Sequence, residues 1–267
     1  MAWNRPAVSQ EGILSPENTD KEISRRRAIG FLAAAGAGVL LGCGGGTKIT
    51  ATTTTTRTST ANTSCTVTPE GEEGPYFVDD SATGFARSDI RSNLDGSNTQ
   101  SGIPLTLSIY VYDSQNSCAA MANVQVDIWH CNASGIYSAE DVESTVGETW
   151  LRGYQLTDSN GLVTFVTIVP GWYQGRTTHI HLRLRSTHDA TTTGGTNTTQ
   201  LFFPQDTIDT INTTISPYST EGTNPTTNAS DHVYAGEVSG ATLLTLSGDN
   251  SNGYTATIKV NLPITTA

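Results

Sequence analysis

Basic residues are scarce in this sequence. It has 14 lysine and arginine residues against 25 aspartate and glutamate residues, a formal net charge of -11 over 267 residues. A protein that binds DNA or RNA needs lysine and arginine to displace counterions from the phosphates. The charge balance therefore argues against a nucleic-acid partner, and the acidic surface suits a protein that must stay soluble.

The sequence also lacks an apolar run long enough to cross a bilayer comfortably. Its most apolar stretch extends from Ala28 to Leu41, whereas a spanning helix needs about 20 apolar residues. Arg25, Arg26 and Arg27 precede this stretch, which resembles a twin-arginine export signal, and Cys43 closes it as in a bacterial lipoprotein cleavage site. We therefore expect residues 1–43 to be a twin-arginine lipoprotein signal that carries the protein out of the cytoplasm and tethers it to a membrane through lipidated Cys43. An ordinary signal peptide and an uncleaved anchor are the alternatives.

Apolar side chains are few in residues 44–64, a threonine-rich stretch that opens with three glycines. Such a segment cannot bury enough surface to offset the entropy lost on ordering, so it is predicted to be a flexible linker. Residues 65–267 are then expected to form the folded domain, and their length of about 200 residues suits one domain.

Cysteine is rare as well, with four residues in the chain. With Cys43 as the anchor, three remain in the domain, and an exported domain is found where disulfides persist. Three cysteines allow three pairings. We expect Cys65 to pair with Cys118, because both lie outside the strand patterns and can join the N-terminal arm to a loop. Cys131 follows a predicted strand and is interpreted as a small buried hydrophobic residue.

Persuasive helical patterns are missing, and apolar residues recur instead with a period near two. Leu105, Leu107, Ile109 and Val111 alternate with Thr106, Ser108, Tyr110 and Tyr112. Residues 124–129, 162–168, 241–247 and 254–262 also read as strands, and turn residues at 158–161 and 248–253 precede two of them. Several short alternating strands separated by turns predict an all-β fold, a β-sandwich with long loops.

Histidine is limited to five residues. His179 and His181 are two apart in a predicted strand, so they project from one face while Ile180 and Leu182 face the core. Two imidazoles on one face are well placed to bind a metal. Most His-x-His pairs, however, are ordinary surface or core histidines. The others are His130, His188 and His232. This supply is too small for dicopper or copper–zinc centres.

Four blocks of the sequence together resemble the intradiol ring-cleavage dioxygenases, the family of protocatechuate and catechol dioxygenases. The blocks are residues 68–77, residues 124–137, residues 170–181 with the motif Pro170-Gly171-Trp172-Tyr173 before Arg176-Thr177-Thr178-His179-Ile180-His181, and residues 199–204. The resemblance runs from about residue 65 to the C-terminus and looks closest to the exported, single-domain branch of the family.

The resemblance implies a set of site residues. The family's four iron ligands fall on Tyr137, Tyr173, His179 and His181. Its active-site arginine falls on Arg176 and its glutamine on Gln200, which are expected to stabilise developing charge and to orient the substrate. Tyr76 is expected to line the substrate pocket. The implied reaction is cleavage of a catechol-type ring, a small aromatic diol, by O2 between its hydroxyl-bearing carbons to give a muconate-type diacid. Thr177-Thr178 and the short gap between Tyr173 and His179 depart from many members, and the short gap predicts a smaller or more open pocket roof.

The donor types fit iron(III) chemically. A free phenol has a pKa near 10, so its phenolate needs a strongly acidic cation, and bound cations deprotonate their ligands. Two phenolates and a hydroxide balance three positive charges, and two neutral imidazoles complete five-coordination. This electron-rich set holds iron in the ferric state without an external reductant.

Two other functions remain open at this point. A non-catalytic exported β-sandwich binding module explains the strands and aromatics without a metal. A zinc hydrolase could use His179, His181 and a third ligand such as His130. Single residues also have simpler explanations: Arg176 could pair with an acid, Tyr76 could pack in the core, and His130 is more readily a structural residue than a ligand.

Overall fold

The computed structural model describes residues 65–78, 84–185 and 196–263. The predicted signal, the linker, Cys43 and His188 lie outside these residues. Helices are few among the described residues: α1 (Gln205–Thr214), a 3-10 turn (Tyr218–Thr220) and a π-helical turn (His232–Glu237). None of these three is long and apolar enough to span a bilayer.

Two sheets make up most of the described chain. The first contains β1 (Pro104–Asp113), β2 (Ala119–Ala120), β5 (Leu162–Ile168), β8 (Thr245–Asp249) and β9 (Gly253–Leu262). The second contains β3 (Gln125–Trp129), β4 (Arg152–Leu156), β6 (His179–Arg185) and β7 (Thr196–Phe202). In the first sheet β1 pairs in parallel with β9 and antiparallel with β5 and β2. The order of the second is β4-β3-β6-β7, antiparallel throughout. This confirms the predicted all-β sandwich.

The core contains apolar side chains from both sheets. Leu105, Leu107, Ile109 and Val111 point inward from β1, and Ile180, Leu182 and Leu184 join the same cluster from β6. Because successive residues of a strand face opposite sides, the histidines of β6 lie on the face away from this core. The sandwich therefore supplies a rigid, central strand on which the predicted metal ligands stand.

The strand predictions were correct for β1, β3, β5, β6 and β9, whereas β2, β4, β7 and helix α1 were not predicted and one strand was misplaced. The strand expected at 241–247 lies at Thr245–Asp249, because Leu243 and Leu244 instead contact Phe202 through an isolated bridge and a backbone hydrogen bond. Helix α1 was missed, since Ile208 and Ile211 are its only buried apolar residues and threonine and aspartate fill much of the rest.

The predicted cysteine chemistry is confirmed. Cys65 and Cys118 form a disulfide, which joins the N-terminal arm to the loop between β1 and β2. Cys131 is free and buried, and burial raises the pKa of its thiol to about 12. It is therefore an inert packing residue under ordinary conditions.

Candidate metal centre

His179 and His181 lie at the start of β6 on its outer face. Strand β6 is flanked by β3 and β7, and both imidazoles are almost completely buried, at 2% and 0% exposure. Trp129, the cross-strand neighbour of His181, stacks on its ring with centroids 4.9 Å apart. The period of the strand and the tryptophan together fix the direction in which the two Nε2 atoms point.

The two tyrosines come from loops that are held against each other. Asn132 Oδ1 accepts hydrogen bonds from the backbone N–H of Ser134 and Ile136, which shapes the turn before Tyr137. The N–H of Gly171 donates to the carbonyl of Asn132 at 3.0 Å, which brings in the loop that carries Tyr173. The loop sequences thus determine where both phenols lie.

The structure brings the four predicted ligands together at one point. Tyr173 Oη lies 3.2 Å from His179 Nε2, and the Nε2 atoms of His179 and His181 are 3.1 Å apart. Tyr137 Oη lies 3.1 Å from His181 Nε2. Two ligand atoms each about 2.1 Å from one ion, at angles of 90–110°, are separated by about 3.0–3.4 Å. The spacing therefore fits ligands of a single metal ion.

The protonation of the imidazoles also fits a cation. His179 Nδ1 must donate to the carbonyl of Thr177, 2.7 Å away, so its Nε2 presents a lone pair. Burial, aided by the charge of Arg176, lowers the pKa of His179 to about 3. Burial and the neighbouring His179 lower the pKa of His181 well below its ordinary value. Both rings are therefore neutral at pH 7, and His179 presents a nitrogen lone pair to the centre.

Without a cation the two phenols are protonated. Burial raises the pKa of Tyr137 well above 10, and burial also raises the pKa of Tyr173, although the charge of Arg176 opposes that rise. A metal that binds here must therefore expel two phenol protons, which selects a strongly Lewis-acidic ion.

Arg176 lies beside this centre and is 7% exposed. Its Nε donates to Asp231 Oδ2 at 2.9 Å, and its Nη1 lies 3.4 Å from Glu72 Oε1. Its Nη2 donates to the side-chain carbonyl of Gln200, and Gln200 Nε2 donates to the carbonyl of Glu72 at 2.9 Å. Burial acts to raise the pKa of Asp231, but hydrogen bonds from Arg176 and from backbone amides outweigh it and lower that pKa. The expected arginine and glutamine are thus adjacent, and the arginine also pairs with acids.

Tyr76 belongs to the N-terminal segment that covers the centre. Its ring stacks on that of Tyr137 with centroids 4.4 Å apart, and it meets Tyr173 edge-on at 6.3 Å. A β-carbon on Gly74 would come within 3.0 Å of His181, so a glycine there lets the backbone pass close over the imidazole. Tyr76 therefore packs against the rings of two proposed ligands.

The remaining described histidines stay apart from the four. His130 Nδ1 donates to the carbonyl of Cys131 at 2.8 Å, and its Nε2 lies 2.7 Å from Thr167 Oγ1. With both nitrogens occupied, His130 is a structural residue. His232 is exposed and lies 3.3 Å from Glu72. Among the described residues, the only cluster of three histidine, cysteine or acidic side chains is Glu72, His232 and Glu237, all exposed. A zinc site built from His130, His179 and His181 has no support here.

Two residues of the site were not predicted from the sequence. Asp231 and Glu72 reach Arg176 across 55 and 104 positions of the chain. Asp231 is a residue type that favours helix N-caps, and in the structure it caps the π-helical turn. That sequence signal does not indicate its contact with Arg176.

Comparisons with known proteins agree with this geometry. A family model described as a dioxygenase matches residues 72–218. Catechol 1,2-dioxygenase from Acinetobacter baylyi is 33% identical over 108 residues, which cover 40% of this chain and 32% of that protein. Catechol 1,2-dioxygenase from a Pseudomonas species is 29% identical over 126 residues, covering 45% of this chain and 38% of the relative. The match thus spans about a third of each curated relative.

Solved structures match a larger share of the chain. An intradiol ring-cleavage dioxygenase from Tetranychus urticae superposes with a TM-score of 0.63 at 28% identity, covering 76% of this chain and 98% of that one. The dioxygenase domain of a dioxygenase and carbohydrate-binding protein fusion from a Streptomyces species has a TM-score of 0.53 at 28% identity, covering 75% and 100%.

Proposed function

The chain belongs to the intradiol ring-cleavage dioxygenase family, and we propose that it binds one iron(III) ion through Tyr137, Tyr173, His179 and His181. In this proposal it cleaves catechol-type rings with O2. The bond between the two hydroxyl-bearing carbons breaks, and each of these carbons gains one oxygen atom from O2. Catechol and O2 together contain the atoms of cis,cis-muconic acid, so no further reductant is required.

The single observation that carries the proposal is the convergence of two phenol oxygens and two imidazole nitrogens, joined by contacts of 3.1–3.2 Å. A non-catalytic binding module needs an aromatic surface, whereas here the polar ends of the rings point at one another in a buried space. Bound iron(III) supplies the Lewis acidity that keeps both phenols ionised and makes a chelated catechol open to attack by O2.

The two tyrosines differ in a way that assigns them different roles. Tyr137 is 1% exposed and held under Tyr76, so it would hold the metal throughout the reaction. Tyr173 is half-buried and borders a cavity of about 420 Å³ that is also lined by Ser134, Trp172, Gln174, Glu221 and Pro225. Tyr173 would have room to withdraw when a catechol binds; its phenolate oxygen would accept one of the two substrate protons, and the hydroxide would accept the other.

Arg176 and Gln200 act on the substrate side of the centre. Their hydrogen bond to each other is buried, in surroundings where a charge has a stronger effect than in water. Arg176 stabilises negative charge that develops on the ring during O2 attack, an effect typically worth about 3 kcal/mol. Gln200 orients the ring, and Tyr76 excludes water from the side of Tyr137.

Purified, iron-loaded protein tests this proposal. We expect one iron per chain, a burgundy colour from phenolate-to-iron(III) charge transfer, and O2 uptake with catechol, protocatechuate or hydroxyquinol that yields the ring-opened diacid. Colourless protein that takes up no iron contradicts the proposal. Stoichiometric zinc with a hydrolytic activity that survives Tyr173→Phe supports the zinc hydrolase instead.

We also propose that the chain is exported by the twin-arginine route and tethered through lipidated Cys43. The proposal is supported by the three arginines at 25–27 and by the cysteine that ends the apolar run. Replacing all three arginines by lysine is expected to leave the protein inside the cell, because that route requires the arginine pair. Normal export of the lysine variant contradicts the route, and unchanged membrane association of Cys43→Ser contradicts the tether.

A further inference from the structure

Asp231 lies beyond the segment that the family model matches, yet it reaches the centre. The match ends at residue 218, and Asp231 is 1% exposed. Its Oδ2 accepts hydrogen bonds from Arg176 Nε and from the backbone N–H of Thr177, both at 2.9 Å. Its Oδ1 accepts from the backbone N–H of Val233 and Tyr234, both at 3.0 Å. One carboxylate thus ties the arginine to the π-helical turn.

The contact with Arg176 determines the plane of the guanidinium group. Nε is the nitrogen closest to the backbone, so a bond at Nε fixes the rotation of the whole planar group. Its far ends then meet Gln200 and, at 3.4 Å, Glu72. A buried arginine that lost Asp231 would have to find another partner or turn toward water.

The contact with Thr177 reaches a proposed ligand through a single residue. Asp231 holds the N–H of Thr177, and the carbonyl of Thr177 accepts the hydrogen bond from His179 Nδ1 at 2.7 Å. That hydrogen bond fixes the tautomer and the rotation of the His179 ring. Asp231 therefore influences the arginine and the histidine together.

Neighbouring side chains of the same C-terminal segment hold the same loop. Asn224 Nδ2 donates to the carbonyl of Arg176 at 2.9 Å, and Thr177 Oγ1 donates to Asn228 Oδ1 at 2.8 Å. Both asparagines are buried at 7% exposure. The residues from 224 to 231 thus form a support for the loop that carries Arg176 and leads into His179.

We propose that Asp231 is a positioning residue of the dioxygenase site, which orients Arg176 and, through Thr177, the ring of His179. This inference rests on the proposed function. Asp231 acts through these two residues and does not touch the reacting ring, so its loss lowers turnover more than substrate binding.

A double-mutant cycle with Arg176 separates positioning from general stability. Asp231→Asn keeps an oxygen for the π-helical turn and removes the charge that holds Nε. In iron-loaded full-length protein we expect kcat to fall about 10- to 100-fold with little change in KM. In an Arg176→Gln background the same change should lower kcat by a clearly smaller factor, because only the effect through Thr177 and His179 is left. Equal losses in both backgrounds overturn the role of Asp231 in orienting Arg176.

Amide hydrogen exchange gives a readout that does not depend on activity. In Asp231→Asn we expect faster exchange at Thr177, with the core strand β1 unchanged. Unchanged protection at Thr177 overturns the proposal even if activity falls. Asp158→Asn is the matched control, because Asp158 also accepts two backbone N–H bonds, at 2.8 and 2.9 Å, in an exposed turn. This control should leave kcat unaltered.

A second variant and a second measurement cover the cases in which Asp231→Asn does not fold or the wild type is inactive. If Asp231→Asn does not fold, Asp231→Glu retains the charge and displaces it by one methylene, and the same cycle is measured with it. If wild-type protein takes up no iron and opens no ring, the proposed function fails, and the exchange at Thr177 still decides whether Asp231 positions the loop.

Discussion

The Nε2 atoms of His179 and His181 face each other at 3.1 Å in a buried site. His179 uses its Nδ1 proton for the carbonyl of Thr177, so its Nε2 has a lone pair to offer and no proton. Burial lowers the pKa of both histidines, so both rings are neutral at pH 7. His181 Nε2 at this distance either donates its proton to that lone pair or shares a cation with it, and in the first case the buried Nδ1 of His181, which has no hydrogen-bond partner, is left unsatisfied. Together with the two adjacent phenols the pair therefore supports a metal, and the phenols favour iron(III).

Removing either phenol should weaken the metal centre. We expect Tyr137→Phe to lower iron affinity by at least about 10- to 100-fold, the cost of losing even an outer partner of a metal site, and to weaken the charge-transfer absorbance. Tyr173→Phe should also change the absorbance, but with a smaller loss of iron because Tyr173 is the less buried of the two. Iron content and visible spectra measure both effects.

Tyr218→Phe is the matched control for that experiment. Tyr218 is another buried phenol, whose hydroxyl donates to the carbonyl of Val169 at 2.7 Å and accepts from the N–H of Ile103 at 2.9 Å. Its loss should lower stability and leave the colour intact. An unchanged spectrum in Tyr137→Phe would remove that residue from the ligands.

The sequence was sufficient for the strands that alternate cleanly, and its resemblance to a family named four candidate ligands. Strand β1 is predictable because each inward position from Leu105 to Val111 is apolar. The ligands were identified by resemblance, since a His-x-His pair does not by itself indicate which tyrosines lie nearby. The structure adds the distances between them.

Other features depend on contacts that local patterns do not encode. Helix α1 has a weak apolar stripe and is stabilised by packing of Ile208 and Ile211 into the main core. Strand β8 begins later than its pattern predicts because Leu243 and Leu244 are used by a neighbouring segment. Asp231 meets Arg176 across 55 positions, and such a pairing follows from the fold and not from spacing.

Buried His130 should make stability fall in mild acid. Burial lowers the pKa of His130 to about 4, whereas the unfolded chain titrates near 6.5. Between these values the unfolded state binds more protons, so the contribution is present above pH 6.5 and is lost as pH falls toward 4. The expected loss is about 3 kcal/mol. Denaturant unfolding of the metal-free wild type and of His130→Gln, at pH 7 and pH 4.5, measures it.

Comparison of those two proteins isolates His130, because His179 and His181 are present in both. The variant should show the smaller decrease in unfolding free energy between the two pH values. Equal decreases would mean that His130 is protonated in the folded protein, contrary to its hydrogen bond from Thr167.

Gly135 should tolerate no side chain, because two loops meet there. Its φ is +78°, and a β-carbon would lie 2.2 Å from the carbonyl oxygen of Trp172. We expect Gly135→Ala to lower the unfolding free energy by more than about 3 kcal/mol. This figure combines the cost of a left-handed backbone conformation for alanine with the steric clash against the carbonyl of Trp172. Iron content should fall too, since the clash separates the loops that carry Tyr137 and Tyr173.

Gly147→Ala measures the backbone cost alone. Gly147 has a φ of +89°, and a β-carbon there would meet nothing within 4 Å. It should cost only about 1–2 kcal/mol and leave iron content unchanged. Similar losses in the two variants would show that the loops do not need their close contact.

The Cys65–Cys118 disulfide should stabilise both the domain and the cover over the centre. The bond closes a loop of 53 residues, for which loop-closure entropy predicts about 4 kcal/mol. It also fixes the start of the segment that passes Gly74 over His181 and stacks Tyr76 on Tyr137. We expect the Cys65→Ser, Cys118→Ser variant to unfold at lower denaturant and to release iron faster to a chelator.

Wild-type protein that is reduced and alkylated before iron loading, with the reducing agent removed, provides the control. Its stability should fall to that of the double variant, and the same treatment should not affect the variant, because Cys131, the one cysteine left among the described residues, is buried. If reduction changed stability but not the rate of iron release, the disulfide would stabilise the sandwich without holding the arm over His181. If reduction changed neither quantity, the other contacts of the arm would be enough to hold it, such as the hydrogen bond from Thr68 N–H to the carbonyl of Asn261 at 2.9 Å and the ion pair of Glu73 with Arg183 at 3.0 Å.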